Sequence, residues 1–333
     1  MVVPKKLVIG KELEDGLIDM IKERFPTLMI TVCSDESDLN EFIHDADILL
    51  TRIIPEDPSM APRLKWVHFL WEGVDSMSED FAKTGIILTN SSGAHSVHIS
   101  EHVLMYLINL SRKAFMYKSY QDRSEWLGWL DQPGLLKLSG TTIGILGYGR
   151  IGRAVAKIAE GFGMHVLALK RDPCIKKQDQ YHAEGCCDIE GSIPSRFYGP
   201  DELMDMLPMC DHVVLSLPLT AQTEDLFGED QFRAMKDTAF FVNIGRGALV
   251  VEDALVSALR DGWIAGAGLD VFRKEPLPAT SPLWDLENLI ITPHASVGGD
   301  PAEEEVIDLF LENMERFIDG RKMLNVIDKG KGY

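Results

Sequence analysis

The sequence predicts an α/β protein with two doubly wound parallel-sheet domains. Short apolar runs alternate with amphipathic stretches along the chain, which is typical of parallel sheets built from strand–helix–strand units. The 333 residues exceed the usual size of a single domain and suit two of them. The apolar fraction of 45% and the charged fraction of 26% are those of a folded globular chain, so disorder and fibrous structures are excluded.

The first hundred residues contain the apolar runs that predict the strands of one small domain. These strands, with helices between several of them, are predicted at 7–10, 29–32, 47–51, 67–70 and 86–89. A helix is predicted over 302–318, because its apolar residues recur at helical spacing. Its buried stripe comprises Val306, Phe310, Met314 and Phe317. We expect this helix to pack on the first domain, which comprises 1–100 and is completed by 299–333.

A second domain is predicted over 101–298. Its six strands are predicted at 142–146, 165–169, 212–217, 239–244, 265–270 and 289–292. A helical stretch at 102–111 and a tryptophan-rich, turn-prone segment at 126–136 precede the first of these strands. The segment 172–200 combines cysteines, glycines and prolines without clear periodicity, so we expect a long surface excursion there.

The net charge of −19 argues against partners that are themselves negatively charged. Such a chain repels phosphate backbones and anionic lipid surfaces, so we expect neither nucleic acid nor membrane partners. No run approaches the roughly 18 consecutive apolar residues that span a bilayer, and Met1 to Lys6 lacks a signal-peptide core. A cytoplasmic location is therefore expected. The five cysteines form no C-x-x-C pair, which favours reduced thiols over a disulfide framework.

A glycine motif after the first strand of the second domain predicts a dinucleotide site. The motif G-x-G-x-x-G comprises Gly147, Tyr148, Gly149, Arg150, Ile151 and Gly152. A helical stripe and another strand follow it, so the strand–turn–helix–strand context of a Rossmann domain is complete. Gly147 permits the tight turn, Gly149 lets the backbone approach a pyrophosphate, and Gly152 lets the helix pack closely on the strand. The helix N-terminus then faces the phosphates.

The residues at the end of the next strand favour NADP over NAD. NAD-specific sites usually place an acid here to bind the ribose 2′-hydroxyl. Lys170 occupies that position and Arg171 follows it, and two cations suit a 2′-phosphate. NAD remains the alternative, with Asp172 binding the ribose. The other candidate cofactor residues are Leu217, Pro218, Thr223, Ile244, Asp270 and His294.

Three later segments carry a family resemblance. Residues 241–247, 268–276 and 292–294 resemble the signatures of the D-isomer-specific 2-hydroxyacid dehydrogenases. The resemblance extends over nearly the whole chain and includes 72–75, Glu101 and His102 and the glycine motif. It implies a flavodoxin-like substrate domain beside the Rossmann domain, with a cleft between the two.

The resemblance implies a catalytic role for three residues. Arg246 binds the substrate carboxylate, His294 donates a proton to the ketone, and Glu275 is the partner of His294. These roles agree with the chemistry, because the planar fork of arginine suits a carboxylate. Hydride delivery to the carbonyl carbon also needs a proton at its oxygen, and a neighbouring carboxylate stabilises the imidazolium that supplies it. Asp270 resembles the family residue that holds the nicotinamide carboxamide.

In the first domain, Trp71, Glu72 and Gly73 resemble the loop whose backbone N–H groups hold the substrate carboxylate. Family members often have small residues where Trp71 stands, so Trp71 lines or narrows the pocket, or is simply a core residue. His95, His98 and His102 would share a helix face. That spacing can bind zinc, but we interpret the three as interdomain polar contacts and expect no metal.

The resemblance implies NAD(P)H-dependent reduction of a small 2-keto acid, similar to glyoxylate or hydroxypyruvate, to the D-2-hydroxy acid, and the reverse oxidation. A phosphoglycerate dehydrogenase-like enzyme is one alternative. Another is a dinucleotide-sensing binding module of the corepressor type, which the intact Arg246, Glu275 and His294 do not by themselves exclude. The segment 126–136 resembles the arm through which family members dimerise, so a homodimer is expected.

Overall fold

Two parallel sheets organise the computed structural model, and each belongs to its own unit. The structure describes residues 4–10, 13–52, 57–71, 79–131, 134–177, 181–182, 185–298 and 303–329. The first unit takes the described residues within Met1–His95, Gln180–Ala183 and Gly299–Tyr333. The second unit takes those within Ser96–Asp179 and Glu184–Gly298. The division at residue 95 falls just before a long helix begins, whereas the sequence predicted it inside that helix.

The first unit is built on a five-stranded parallel sheet with the order β2-β1-β3-β4-β5. The strands are β1 (Lys6–Ile9), β2 (Met29–Val32), β3 (Ile48–Thr51), β4 (Trp66–Phe69) and β5 (Ile87–Asn90). Its helices are α1 (Asp15–Arg24), α2 (Glu36–Phe42), α3 (Glu79–Ala82) and α10 (Glu303–Asp319). This strand order is that of the flavodoxin-like doubly wound fold, so the prediction is confirmed.

Helix α10 packs on the sheet of the first unit, as the sequence predicted. Its predicted stripe is buried in one hydrophobic cluster with residues of β1, β3 and β4. Phe310 stacks on Trp66 with ring centroids 5.1 Å apart, and Phe317 lies against the same indole. The end of the chain therefore completes the core of the unit in which the chain begins.

The second unit is built on a seven-stranded parallel sheet with the order β12-β11-β10-β9-β6-β7-β8. The strands are β6 (Thr142–Leu146), β7 (His165–Leu169), β8 (Arg196–Tyr198), β9 (His212–Leu215), β10 (Phe240–Asn243), β11 (Gly266–Leu269) and β12 (Leu289–Ile291). Its helices are α4 (Ser96–Arg112), α5 (Ala114–Asp122), α6 (Arg150–Gly161), α7 (Leu203–Met206), α8 (Glu229–Ala234) and α9 (Glu252–Arg260). The order reverses at β6, as in a Rossmann sheet.

Helices cover both faces of this sheet. Buried residues of α4 and α6 form a hydrophobic cluster on one face, and those of α7, α8 and α9 form another on the opposite face. Such cover explains why the strands are continuous apolar runs rather than alternating ones. Within the described residues, no helix is both long and apolar enough to cross a membrane.

The prediction of a surface excursion over 172–200 is wrong in two respects. Arg196–Tyr198 forms strand β8, which pairs in parallel with β7 and is the seventh strand that the sequence analysis missed. Asp188 is 6% exposed and accepts hydrogen bonds from the N–H groups of Ser192 and Ile193. The segment is therefore partly built into the unit. A strand of three residues at a sheet edge is too short to produce a recognisable period.

Candidate active site

The glycine motif lies at the carboxyl end of β6, where the strand order reverses. Ligands of open α/β sheets bind at this position. Gly147 has φ +104°, and an added Cβ would lie 2.6 Å from the carbonyl oxygen of Ser216. At Gly152 a Cβ would lie 2.2 Å from the carbonyl oxygen of Gly147. Both glycines are thus required by the protein's own packing, as the sequence predicted.

Gly149 differs from the other two glycines, because the fold gives no reason for it. Its φ of −86° is ordinary, and an added Cβ would meet nothing within 4 Å. Helix α6 begins at the next residue, so the first free N–H groups of the helix lie beside this open position. The geometry therefore fits a phosphate group that approaches the backbone at Gly149.

The Tyr148 side chain does not contribute to that open position. It is 2% exposed, and its hydroxyl donates to Asp188 Oδ2 at 2.7 Å. Burial raises the pKa of Tyr148 above its ordinary value, and the hydrogen bond to Asp188 raises it further. The Arg153 guanidinium lies 4.8 Å from the Tyr148 ring. Tyr148 is a predicted cofactor residue, but its side chain holds the segment around Asp188 in place.

Lys170 follows β7, at the carboxyl edge of the same sheet. Its ammonium donates to the carbonyl oxygen of Ile175 and lies 6.0 Å from the ring of Phe197. Burial lowers the pKa of Lys170, and the nearby Arg153 charge lowers it further. Arg171 is exposed. The Lys170 side chain therefore stabilises its own loop in this structure. Arg171 is the more solvent-exposed of the two cations.

The loop after β10 presents Arg246. Asn243, at the end of the strand, is 1% exposed; its side chain accepts from Gly245 N–H and donates to the carbonyl oxygen of Arg246. A Cβ added at Gly247 would lie 1.8 Å from the carbonyl carbon of Phe272. The loop that carries Arg246 therefore packs directly on the segment that follows β11.

That neighbouring segment carries Glu275, which is bonded to His294. Glu275 Oε1 accepts from the N–H of Phe272 at 2.9 Å, and Oε2 lies 2.7 Å from His294 Nδ1. Both side chains are partly exposed, His294 at 49% and Glu275 at 36%. One carboxylate oxygen thus fixes the glutamate to its own loop, and the other orients the imidazole.

The backbone of His294 is held by Asp270, the first residue after β11. His294 has φ 53°, a conformation that non-glycine residues rarely adopt, and its N–H donates to the carbonyl oxygen of Asp270. The buried Asp270 carboxylate accepts from the Thr292 hydroxyl and from the N–H groups of Ala295 and Ser296. Burial alone would raise the pKa of Asp270, but these hydrogen bonds hold it below its ordinary value. Hydrogen bonds to the ionised Asp270 carboxylate therefore hold the loop around His294 in place.

The other predicted cofactor residues also follow strands of this sheet. Leu217 and Pro218 follow β9, and the hydroxyl of Thr223 donates to the carbonyl oxygen of Pro218 at 2.7 Å. Ile244 follows β10 and is buried. These residues line the same edge as the glycine turn, because the carboxyl ends of parallel strands meet there. Their contacts with a cofactor stay a prediction.

Trp71, in the first unit, is not a core residue. Its side chain is 40% exposed, and the Arg52 guanidinium lies 4.1 Å from the indole ring. Arg52 also lies 3.6 Å from the Glu303 carboxylate. Glu72 and Gly73 lie outside the described residues. The role of this loop in holding a substrate carboxylate stays a prediction.

Comparison with known proteins identifies the family. The family model described as "D-isomer specific 2-hydroxyacid dehydrogenase, NAD binding domain" matches residues 104–296. The chain belongs to the D-isomer specific 2-hydroxyacid dehydrogenases. This dehydrogenase is 34% identical to a glyoxylate reductase of Thermococcus onnurineus over 98% of its own chain and 99% of the relative. It is an oxidoreductase that acts on a CH–OH group.

Solved structures extend the comparison to the fold. A D-isomer specific 2-hydroxyacid dehydrogenase family protein of Aeromonas salmonicida matches with a TM-score of 0.83 and 32% identity, over 98% of this chain and 99% of that one. An NADPH-dependent glyoxylate/hydroxypyruvate reductase of Sinorhizobium meliloti, solved with NADP and sulfate, matches with a TM-score of 0.81 and 25% identity. That match covers 99% of this dehydrogenase and 100% of the relative.

The sequence analysis missed the residues that support the candidate catalytic side chains. Thr292 receives contacts from two residues of α4: His102 Nε2 lies 3.0 Å from its hydroxyl, and the hydroxyl of Tyr106 also bonds to it. This contact lies within the second unit, because both partners belong to it. That His95, His98 and His102 make interdomain polar contacts stays a prediction. Burial lowers the pKa of His102, although the Asp270 charge opposes the shift. The i, i+4 spacing of His102 and Tyr106 could have indicated from the sequence that both side chains lie on one face of the helix.

His95, His98 and His102, near the start of α4, have a spacing that can bind zinc. Within the described ranges, no group of three or more histidine, cysteine, aspartate or glutamate side chains could hold a metal ion.

Proposed function

We propose that this dehydrogenase reduces a small 2-keto acid, similar to glyoxylate or hydroxypyruvate, to the D-2-hydroxy acid, and catalyses the reverse oxidation. The observation that carries the proposal is the Glu275–His294 hydrogen bond of 2.7 Å, on loops that follow β11 and β12. Arg246 lies on a loop packed against the Glu275 segment. A carboxylate-binding cation and an oriented acid–base residue therefore belong to one edge of the dinucleotide-type sheet.

His294 is proposed as the acid in reduction and the base in oxidation. Since Nδ1 is bonded to Glu275, proton transfer to the substrate oxygen runs through Nε2. The Glu275 carboxylate stabilises the imidazolium and keeps the ring in a fixed orientation. The Arg246 guanidinium binds the substrate carboxylate and so orients the adjacent carbonyl group.

The residues of the glycine turn fit a nicotinamide dinucleotide. The dinucleotide supplies the hydride when it is bound. We propose that the N–H groups beside Gly149 bind its pyrophosphate and that Lys170 and Arg171 bind a 2′-phosphate, so NADP is favoured and NAD is the alternative. Structural relatives of Rhizobium etli and Xanthobacter autotrophicus, each 26% identical, were solved with NADP and NADPH respectively. Because Arg171 is more exposed than Lys170, we expect Arg171 to contribute more of the preference.

We propose that the second unit is the dinucleotide-binding domain and the first the substrate domain, in a cytoplasmic homodimer. The predicted dimerisation arm supports the dimer, because Trp126 is 96% exposed, Trp129 85% and Leu130 93%. Three large apolar side chains exposed within five residues are typical of a surface that another chain covers.

A substrate panel tests the proposed reaction. We expect the purified protein to consume reduced coenzyme with glyoxylate or hydroxypyruvate, and to consume it faster with NADPH than with NADH. Absorbance at the nicotinamide band follows the reaction directly. Turnover only with a phosphorylated 2-keto acid would favour the phosphoglycerate dehydrogenase alternative. Coenzyme binding without turnover of any 2-keto acid would favour the corepressor type of binding module.

The double variant Lys170→Asp, Arg171→Ala tests the coenzyme preference. We expect kcat/KM for NADPH to fall roughly 10- to 100-fold, because one or two charge-assisted hydrogen bonds to the 2′-phosphate are lost. The value for NADH should change little. Lys177→Ala is the matched control, since Lys177 is exposed and pairs with Glu190. Equal losses with both coenzymes, or a wild type that prefers NADH, would contradict the assignment.

A further inference from the structure

Two adjacent cysteines form a dithiol in the segment between β7 and β8. The thiols of Cys186 and Cys187 lie 2.8 Å apart, and both residues are partly exposed. The other cysteines differ, because Cys33 and Cys210 are buried in the cores and Cys174 is exposed. The proposed hydride transfer uses neither member of the pair.

The dithiol is connected to the glycine turn by two routes. Cys187 Sγ lies 4.0 Å from the carbonyl oxygen of Arg150, the first residue of α6. The residue after Cys187 is Asp188, whose carboxylate accepts from the Tyr148 hydroxyl and whose carbonyl oxygen accepts from Arg153. A change in the backbone at Cys187 therefore acts on both the turn and the start of α6.

Closing a disulfide between adjacent cysteines changes the backbone. Their Cα atoms are ~3.8 Å apart across a trans peptide bond, whereas disulfides ordinarily join Cα atoms about 4.4–6.8 Å apart. The connecting peptide must distort to form the eight-membered ring. Strained disulfides are also reduced more easily than structural ones. Easy reduction is what a thiol pair needs in order to be oxidised and reduced reversibly.

We propose that Cys186 and Cys187 are a peroxide-sensitive dithiol, and that their disulfide weakens dinucleotide binding at the glycine turn. The distorted peptide moves Asp188 away from the Tyr148 hydroxyl and loosens the backbone beside Gly149. The effect on binding rests on the proposed dinucleotide site, whereas the oxidation chemistry does not.

The oxidation proceeds in two balanced steps. One of the two thiols attacks the peroxide, which gives a sulfenic acid on that cysteine and one water. The sulfur of the other cysteine lies 2.8 Å away and displaces the sulfenic oxygen. The displaced oxygen leaves with the thiol proton as a second water, and the S–S bond forms. Two thiols and one peroxide thus yield one disulfide and two waters.

Coenzyme titration of reduced and oxidised protein tests the proposal. The protein is reduced, freed of reductant, treated with hydrogen peroxide and digested for mass spectrometry, and NADPH and NADH binding are measured by fluorescence. We expect the peptide containing both cysteines to lose two hydrogens, and Kd for the coenzyme to rise about tenfold, the loss expected from one hydrogen bond to a charged group. Dithiothreitol should restore both.

Variants separate the possible outcomes. Cys186→Ser and Cys187→Ser should bind coenzyme normally and no longer respond to peroxide, whereas the control Cys174→Ser should respond like the wild type. A disulfide at 186–187 with unchanged affinity would overturn the proposal, as would oxidation that stops at sulfinic acid or joins Cys174. If the fully reduced protein binds neither coenzyme, the proposed dinucleotide site itself is wrong, whatever the thiols do.

Discussion

His294→Ala is expected to reduce turnover roughly 10²- to 10⁴-fold, the usual contribution of a positioned acid or base. The loss arises in the chemical step, because the variant has no proton to give to the carbonyl oxygen during reduction. Coenzyme affinity should change little, since the glycine turn follows β6 and His294 follows β12, four strands away in the sheet. Steady-state kinetics with the best keto acid and a separate coenzyme titration measure the two effects.

Two further variants make this result specific. His165→Ala removes an exposed histidine at the start of β7, at the opposite end of the sheet strands, and should keep wild-type turnover. Glu275→Gln keeps the side-chain shape but no longer stabilises the imidazolium, so turnover in reduction should fall. Near-normal turnover of either His294→Ala or Glu275→Gln would require another acid.

Arg246→Gln is expected to lower kcat/KM for the keto acid by roughly 10² or more, because two charge-assisted hydrogen bonds to the carboxylate are lost. Arg246→Lys should recover only part of the loss, since an ammonium group cannot reproduce the planar fork. The effect should be greatest on KM, and coenzyme affinity should stay near that of the wild type.

Arg260→Gln is a matched control for Arg246, because Arg260 is an exposed arginine at the end of α9 in the same unit. It removes one positive charge without touching the loop after β10. A KM that rises equally in both variants would indicate a general loss of electrostatic attraction. A KM that is unchanged in Arg246→Gln would show that another group holds the carboxylate.

The sequence was sufficient to predict the two sheets because their strands are buried on both faces. In the part of the chain that the structure describes, eleven of twelve strands were predicted to within about two residues, and the exception is the edge strand Arg196–Tyr198. Its three residues contact the sheet on one side only, so neither length nor apolar content distinguishes them from a loop.

The candidate site was predictable only in part. Sequence motifs indicate the candidate catalytic side chains, but they do not indicate which other residues hold those side chains in position. Arg246, Glu275 and His294 lie in recognisable segments, and the structure brings Glu275 and His294 into contact. The support from Asn243 and Thr292 depends on loops meeting across the sheet edge. The sequence also did not predict that the buried Asp270 carboxylate accepts three hydrogen bonds from the loop around His294. Its contact with the nicotinamide carboxamide stays a prediction.

The contact at Gly247 limits how this enzyme can acquire new substrates. Any side chain there would collide with the backbone at Phe272, so the segment that carries Arg246 and the segment that carries Glu275 are expected to shift together. A substitution that widens one of them would misalign the other and reduce the rate for every substrate. Variation in substrate choice is therefore expected at residues outside these two segments.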